Sequence, residues 1–397
     1  MADPQTTSAL RRWSMLAIGL FATLCANVFI HCAAFLIPTL QGERGLDLAR
    51  AGLVSAMPAF GMVLTLIPWG YAVDRLGERL VLTVGSALTA AAALGAALSQ
   101  SLVALSAFLL LGGMAAASSN SASGRLVVGW FEPQQRGLAM GMRQTAQPLG
   151  VGLGALVIPR LAEGSGIGAA LLFPVAVCAA AAVMCGLAVQ DPPRPPRAEA
   201  PAAQLANPYR ASSTLARIHL VSVLLVIPQS VVWTFTLVWL MADNGWSAGS
   251  AGALVTLAQV LGALGRVGAG RWSDRVGSRL RPIRVIAVAA AVAMLTLALS
   301  DAADQAWSVA AMIVASVVTV SDNGLAFTAI AEIAGPFWSG RALGAQNTSQ
   351  LFTAGLTPPL FGALIGAAGY PAAFAVCALF PLLAIPLVPV RDVSEGA

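Results

Sequence analysis

Gly70-Tyr71-Ala72-Val73-Asp74-Arg75-Leu76-Gly77-Glu78-Arg79 closes one long apolar stretch and opens the next. It returns 200 residues later as Gly270-Arg271-Trp272-Ser273-Asp274-Arg275-Val276-Gly277-Ser278-Arg279. The shared pattern is G-x-x-x-D-R-x-G-x-R, and a spaced five-residue pattern seldom recurs by chance. Other polar positions repeat at an offset of 202: Asn27 with Gln229, His31 with Trp233, Asn120 with Asp322. The chain therefore reads as a duplicated unit with the same polar turn in each copy.

The residues around the two turns set the class. Of 397 residues, 58% are hydrophobic and 10% are charged. Soluble domains carry about 25% charged residues. A soluble enzyme, a disordered chain and a nucleic-acid binder are excluded as classes, despite the net charge of +5. All 22 basic residues are Arg, so lysine chemistry is absent. A membrane helix needs about 20 apolar residues. Charge-free runs such as 80–124 and 342–390 each hold two helices, with turns near Ser99 and Gln100 and near Gly369 and Tyr370. Twelve spans result, numbered in chain order: 13–38, 50–73, 80–99, 102–124, 137–160, 168–189, 216–241, 249–272, 282–300, 305–332, 341–367 and 370–390. Continuous apolarity with scattered Gly, Ala and Pro fits helices and not the alternation of a barrel.

Orientation follows from arginine placement. With the N-terminus inside, seventeen arginines fall on cytoplasmic segments and three, Arg44, Arg50 and Arg160, on the other side. Both termini are expected in the cytoplasm, in a bacterial inner membrane. The first apolar run is too long for a signal peptide and lacks a cleavage site, so it is expected to stay as span 1. Trp13, Trp130, Trp246, Trp272 and Trp338 lie near span ends, where interfacial anchors belong. The Pro- and Ala-rich stretch 191–214 reads as a semi-rigid linker. The expected domains are a six-helix bundle over 1–190, the linker over 191–214 and a second bundle over 215–397. Cys25 and Cys32, and Cys178 and Cys185, are seven residues apart, too far along one helix for a disulfide, and read as packing residues.

In each turn the aspartate ends an even-numbered span and the glycines permit a tight return. Such a carboxylate can pair with a cation or with the positive N-terminus of a neighbouring helix. A pair of that kind can be made in one conformation and broken in another, which suits a gate. These motifs resemble the loop 2–3 signature of the major facilitator superfamily and its echo in loop 8–9. The likeness covers the whole chain. It implies an all-α polytopic fold, twelve transmembrane helices in two pseudo-symmetric six-helix bundles around a cavity lined by spans 1, 4, 7 and 10. It also implies a secondary active transporter working by alternating access. The gate residues carried over are Gly70, Asp74, Arg75, Gly77, Arg79, Gly270, Asp274, Arg275, Gly277 and Arg279. Arg125 resembles the family's span 4 arginine that pairs with the motif aspartate, here Asp74. Glu78 stands where the family has a basic residue and is expected to weaken the charge cluster. Phe327 stands at the second-half equivalent of Arg125, leaving the partner of Asp274 open.

Independently of that likeness, polar side chains concentrate on spans 1, 4, 7 and 10. Asn27, His31, Asn120, Gln229, Trp233 and Asn323 are the candidate substrate-lining residues. Polar groups in hydrocarbon must face protein or water. Only Arg143, Arg266 and Asp322 place a charge well inside a span. Arg143 and Arg266 together would bind an organic anion through their planar forks, or else serve as structural ties. Arg266-x-x-x-Gly270-x-x-x-Asp274 resembles the span 8 pattern of monocarboxylate and oxalate–formate porters, whose arginine holds the substrate carboxylate. Asp322 is the candidate proton carrier, with a fixed ion pair as the other reading; His31 is a second titratable group or a packing residue. The expected partners are a small-molecule substrate, a proton or counter-ion and the lipid bilayer, with no nucleic acid, no cofactor and no metal, in a monomer. A drug/proton efflux antiporter is the alternative. Gln147-Pro148-Leu149-Gly150 has the proline of that group's span 5 motif but not its glycine spacing. A membrane-embedded enzyme would need a catalytic cluster, and the chain has only His31 and His219 and no phosphate loop.

Overall fold

The computed structural model describes residues 9–46, 48–193 and 199–389. Arg194, Arg197 and Arg391 of the orientation code, part of the linker and both termini lie outside the described residues. Among the described residues there are helices and no strand. Ten helical stretches are long and apolar enough to cross a membrane. Two of them, Pro133–Ala188 and Ser339–Leu387, are double length. Each contains one residue outside helical geometry, Gly166 at φ 78° and Gly369 at φ 81°. Splitting these two gives twelve spans, with the second break at the turn expected near Gly369.

Those two breaks need glycine because the left-handed region penalises any Cβ. At Gly369 an added Cβ would touch only Pro371 Cδ at 3.7 Å, an ordinary contact. The cost of Gly369→Ala is thus conformational, about 1–2 kcal/mol. A lowered Tm in detergent with transport specificity retained is the expected result; an unchanged Tm would show that the turn is not constrained.

Three spans are also interrupted without reversing. Span 4 is Leu102–Ala116 followed by Ser118–Trp130, and span 10 is Ser308–Val318 followed by Asn323–Ala334. Span 5 breaks between Arg143 and Ala146. Hydroxyl side chains explain two of these breaks. Ser316, Thr319 and Ser321 donate to the carbonyls of Met312, Ala315 and Val317 at 2.8, 2.8 and 2.7 Å. Ser119 donates to Ala116 at 2.9 Å. Such back-bonding competes with the helical ladder and bends it. Broken backbone at membrane depth is tolerated where it lies within protein or lines a cavity.

The described residues pack as two compact units. One comprises Met1–Glu132, Thr145–Ala206 and Gly335–Asn347; the other comprises Pro133–Gln144, Asn207–Ala334 and Thr348–Ala397. In the first unit Cys178 donates to the Cys25 carbonyl at 3.5 Å, and Cys25, Cys32, Cys178 and Cys185 are all buried free thiols. In the second, Trp239 meets Phe374 edge-on at 6.2 Å inside an apolar core with Met294 and Leu297. Two of the expected interfacial tryptophans do other work. Trp130 is buried and donates to the Gln190 carbonyl at 3.0 Å. Trp338 donates to the Leu205 carbonyl at 3.1 Å and lies under the Arg341 guanidinium at 3.6 Å.

Candidate gate and substrate site

The first motif forms a buried carboxylate cap in the first unit. Asp74 accepts the backbone N–H of Gly340 at 2.8 Å and of Arg341 at 3.1 Å, the first turn of the helix that begins at Ser339. These are among the donors a helix start leaves unpaired. The same carboxylate takes Arg341 Nε at 2.9 Å and Arg125 at 3.2 Å. The expected Asp74–Arg125 pair is present. Glu78 behaves otherwise than expected: its side chain is fully buried and pairs with Arg125 Nε at 3.1 Å. Arg125 thus stands between two buried acids, Asp74 and Glu78.

The remaining motif residues hold the turn. Gly77 has φ 90°, and Arg79 receives Asp191 Oδ1 on its backbone N–H at 2.8 Å. The Arg79 guanidinium donates to the Gly186 carbonyl at 3.0 Å through Nε. Arg75 stands over the Tyr71 ring at 4.9 Å. Neither arginine touches Asp74.

The second motif makes the same cap in the second unit with its charges rearranged. Asp274 accepts the N–H of Gly137 at 2.9 Å and of Leu138 at 2.8 Å. Its cation is Arg279 at 2.6 Å, from its own turn. Arg279 continues to Glu332 at 3.3 Å, and Arg136 meets the same glutamate at 3.3 Å. Glu332 of span 10 thus joins this cluster through Arg279, whereas Arg125 of span 4 joins the first cluster by direct contact with Asp74. Gly277, at φ 67°, closes this turn, and Arg275 is exposed.

Arg341, Glu332, Arg136 and Asp191 belong to these clusters and escape the motif reading. A signal for the capped helices is present in the chain: Gly137-x-x-x-Gly141 and Gly340-x-x-x-Gly344 share a spacing at an offset of 203. A Cβ on Gly70 would strike the Gly340 carbonyl, and one on Gly270 the Gly137 carbonyl. Backbone must approach backbone for the carboxylates to reach the amides, so glycines mark both sides of each contact.

The three intramembrane charges all lie in the second unit. Arg143 donates to Gln144 Oε1 at 2.7 Å, and Arg266 donates to the Gln144 backbone carbonyl at 3.3 Å. One residue at the break in span 5 therefore orients both guanidinium groups. Arg143 also lies 5.8 Å from the centre of the Phe327 ring. Arg266 is 3% exposed, stands over Trp233 at 5.6 Å and has a buried Nε–H without a hydrogen-bond partner. Asp322 sits in the break of span 10 and feels the Arg266 charge, yet the two make no direct ion pair among the described residues.

A pocket lined by Trp233, Thr236, Gln259, Gly262, Arg266 and Ser316, among others, opens beside these groups in the same unit. An amide chain runs nearby on spans 7, 10 and 11. Asn323 donates to Gln229 at 2.9 Å and Gln350 to Asn323 at 3.1 Å. The other candidates fall in the first unit and are engaged locally. Asn27 donates to Thr23 at 2.8 Å, His31 bonds the Asn27 carbonyl at 2.9 Å, and Asn120 donates to Met62 Sδ at 3.5 Å.

Comparison with known proteins places these features in a family. The model of the Major Facilitator Superfamily matches residues 19–356 and again 218–395. An uncharacterized MFS-type transporter of Mycobacterium tuberculosis is 56% identical over 394 residues, 99% of this chain and 88% of that protein. A gallate transporter of Pseudomonas putida is 26% identical over 416 residues, 95% of this chain and 90% of that protein. The crystal structure of the transporter FucP in the outward conformation superposes with a TM-score of 0.76 at 17% identity, covering 95% of this chain and 98% of that one.

Proposed function

The chain belongs to the major facilitator superfamily of multi-pass membrane transporters, and from that premise we propose that it moves a small organic anion, of the monocarboxylate class, by alternating access. The observation that carries the reading is the buried Arg266 Nε–H, unpartnered at a pocket shared with Trp233. A buried donor without a partner forfeits about 1–3 kcal/mol, which a carboxylate oxygen would restore. A guanidinium keeps its charge in a dry site and offers two parallel donors. Arg143, oriented through Gln144, adds positive charge and disfavours a cationic drug as cargo. The likeness to a protein named for an organic anion, gallate, points the same way. The paired caps on Asp74 and Asp274 support alternating access, because each joins a turn of one sequence half to a helix start of the other. The membrane is proposed to be the bacterial inner membrane, with both termini in the cytoplasm and the protein acting as a monomer.

Counterflow in proteoliposomes against a panel of carboxylates, nitrate, sugars and cationic drugs tests this reading. Exchange of carboxylates alone is expected. Movement of cations with no carboxylate exchange would refute it.

Asp322 is the proposed proton carrier. A substrate carboxylate that engages Arg266 removes that charge from the surroundings of Asp322, linking substrate and proton occupancy. Asp322→Asn is expected to keep carboxylate counterflow and lose uptake driven by a pH gradient. Gradient-driven uptake at the wild-type rate in the variant would exclude the role.

A further inference from the structure

The pocket beside Arg266 contains a polar group to which nothing above gives a task. Gln259 lies seven residues before Arg266, two helical turns or about 10 Å along the same face of span 8. It lines the pocket, is half-buried, and makes no hydrogen bond with any described residue. Helical side chains lean toward the N-terminus of their helix. The arginine stem therefore runs along the helix in the direction of Gln259, whose own side chain leans the same way. The rest of the wall is mostly apolar, with Val232, Val255, Ala258, Ala263 and the Trp233 ring beside the hydroxyls of Thr236 and Ser316. Gly262 lets span 8 pack closely against Val320, which an added Cβ would meet at 3.2 Å.

No described residue occupies the Gln259 amide, so its donor and acceptor are open to a ligand in the pocket that holds Arg266. We infer that Gln259 reads a second hydrogen-bonding group on the substrate, so that the preferred cargo is a carboxylate bearing a hydroxyl or carbonyl across a short apolar body. This rests on the carboxylate reading of Arg266 and assigns the opposite end of the same molecule. The amide offers both a donor and an acceptor, which suits a hydroxyl in either role.

The test uses full-length protein in proteoliposomes with benzoate and 4-hydroxybenzoate as competing ligands in counterflow. Wild-type protein is expected to prefer the hydroxylated acid by about tenfold, the scale of one net hydrogen bond to a buried amide. Gln259→Met keeps length and volume and removes the amide. It is expected to erase the preference while benzoate competes as before, which also reports that the variant is folded. Gln259→Glu keeps an acceptor beside the hydroxyl but adds a charge facing the bound anion, and is expected to weaken both ligands. If Gln259→Met retains the wild-type ratio, the inference falls while the Arg266 reading stands. If neither acid competes in wild-type protein, both fall together.

Discussion

Arg266→Ala is expected to weaken carboxylate binding by about one to two orders of magnitude. Charge-assisted hydrogen bonds of this kind contribute roughly 1.5–3 kcal/mol each. The side chain cannot be replaced from nearby, because Arg143 is already turned onto Gln144 Oε1. Arg266→Lys should restore only part of the loss. An ammonium lacks the fork and stacks less well on Trp233, which the guanidinium now covers at 5.6 Å. Quenching of tryptophan fluorescence by added carboxylate gives the Kd directly, since Trp233 lines the same pocket. Arg143→Ala should cost less, because it leaves the Arg266 bond to the Gln144 backbone intact. Equal affinity in wild type and Arg266→Ala would remove the anion site from the protein.

Asp74→Ala is expected to free the start of span 11 and to slow transport severely. The carboxylate accepts two backbone N–H groups and two arginines, all at 3.2 Å or less. Removing one partner of a buried ion pair costs about 3–5 kcal/mol. That exceeds the few kcal/mol that separate two populated conformations. A cysteine introduced at buried Ser339 reports the change, against a background of five native cysteines that are themselves buried. It should resist alkylation in the wild-type background and react in Asp74→Ala. Asp274→Ala should be milder. Arg279 keeps Glu332 when Asp274 is gone, whereas among the described residues Arg341 pairs with no acid besides Asp74. If Ser339→Cys stays protected and transport continues in Asp74→Ala, the carboxylate is a static tie and not part of a gate.

The charge clusters show where reading along the chain succeeds and where it stops. The Asp74–Arg125 pair follows from the likeness of Arg125 to the superfamily's span 4 arginine, and the two side chains meet at 3.2 Å. In the sequence Glu78 is a departure from the motif, and only packing shows that Arg125 stands beside it as well as beside Asp74. The cation of Asp274 lies five residues away in its own turn: Arg279 is a motif residue, but the motif does not say which cation the carboxylate takes. The Gly-x-x-x-Gly pairs at 137–141 and 340–344 would have pointed to the capped helix starts. Among the pocket residues, Arg266 and Trp233 stood out in the sequence by charge and size, whereas Gln259 was one polar residue among several on a helix face.

Residue order alone settles the number of spans, their course and the duplicated turn, because apolar length and loop charge are properties of consecutive residues. The reversals at Gly166 and Gly369 and the hydroxyl-rich breaks in spans 4 and 10 are equally local. Which polar groups meet is decided by packing. Asp74 and Arg341 are 267 residues apart, and their contact at 2.9 Å exists only because Gly70 and Gly340 let two helices touch. The same holds in the pocket, where helix packing buries the Arg266 Nε–H and leaves Gln259 without a hydrogen-bond partner among the described residues. A charge in a sequence states only that a partner is needed; burial and distance, which depend on three-dimensional packing, select the partner and leave the site where a substrate can supply one.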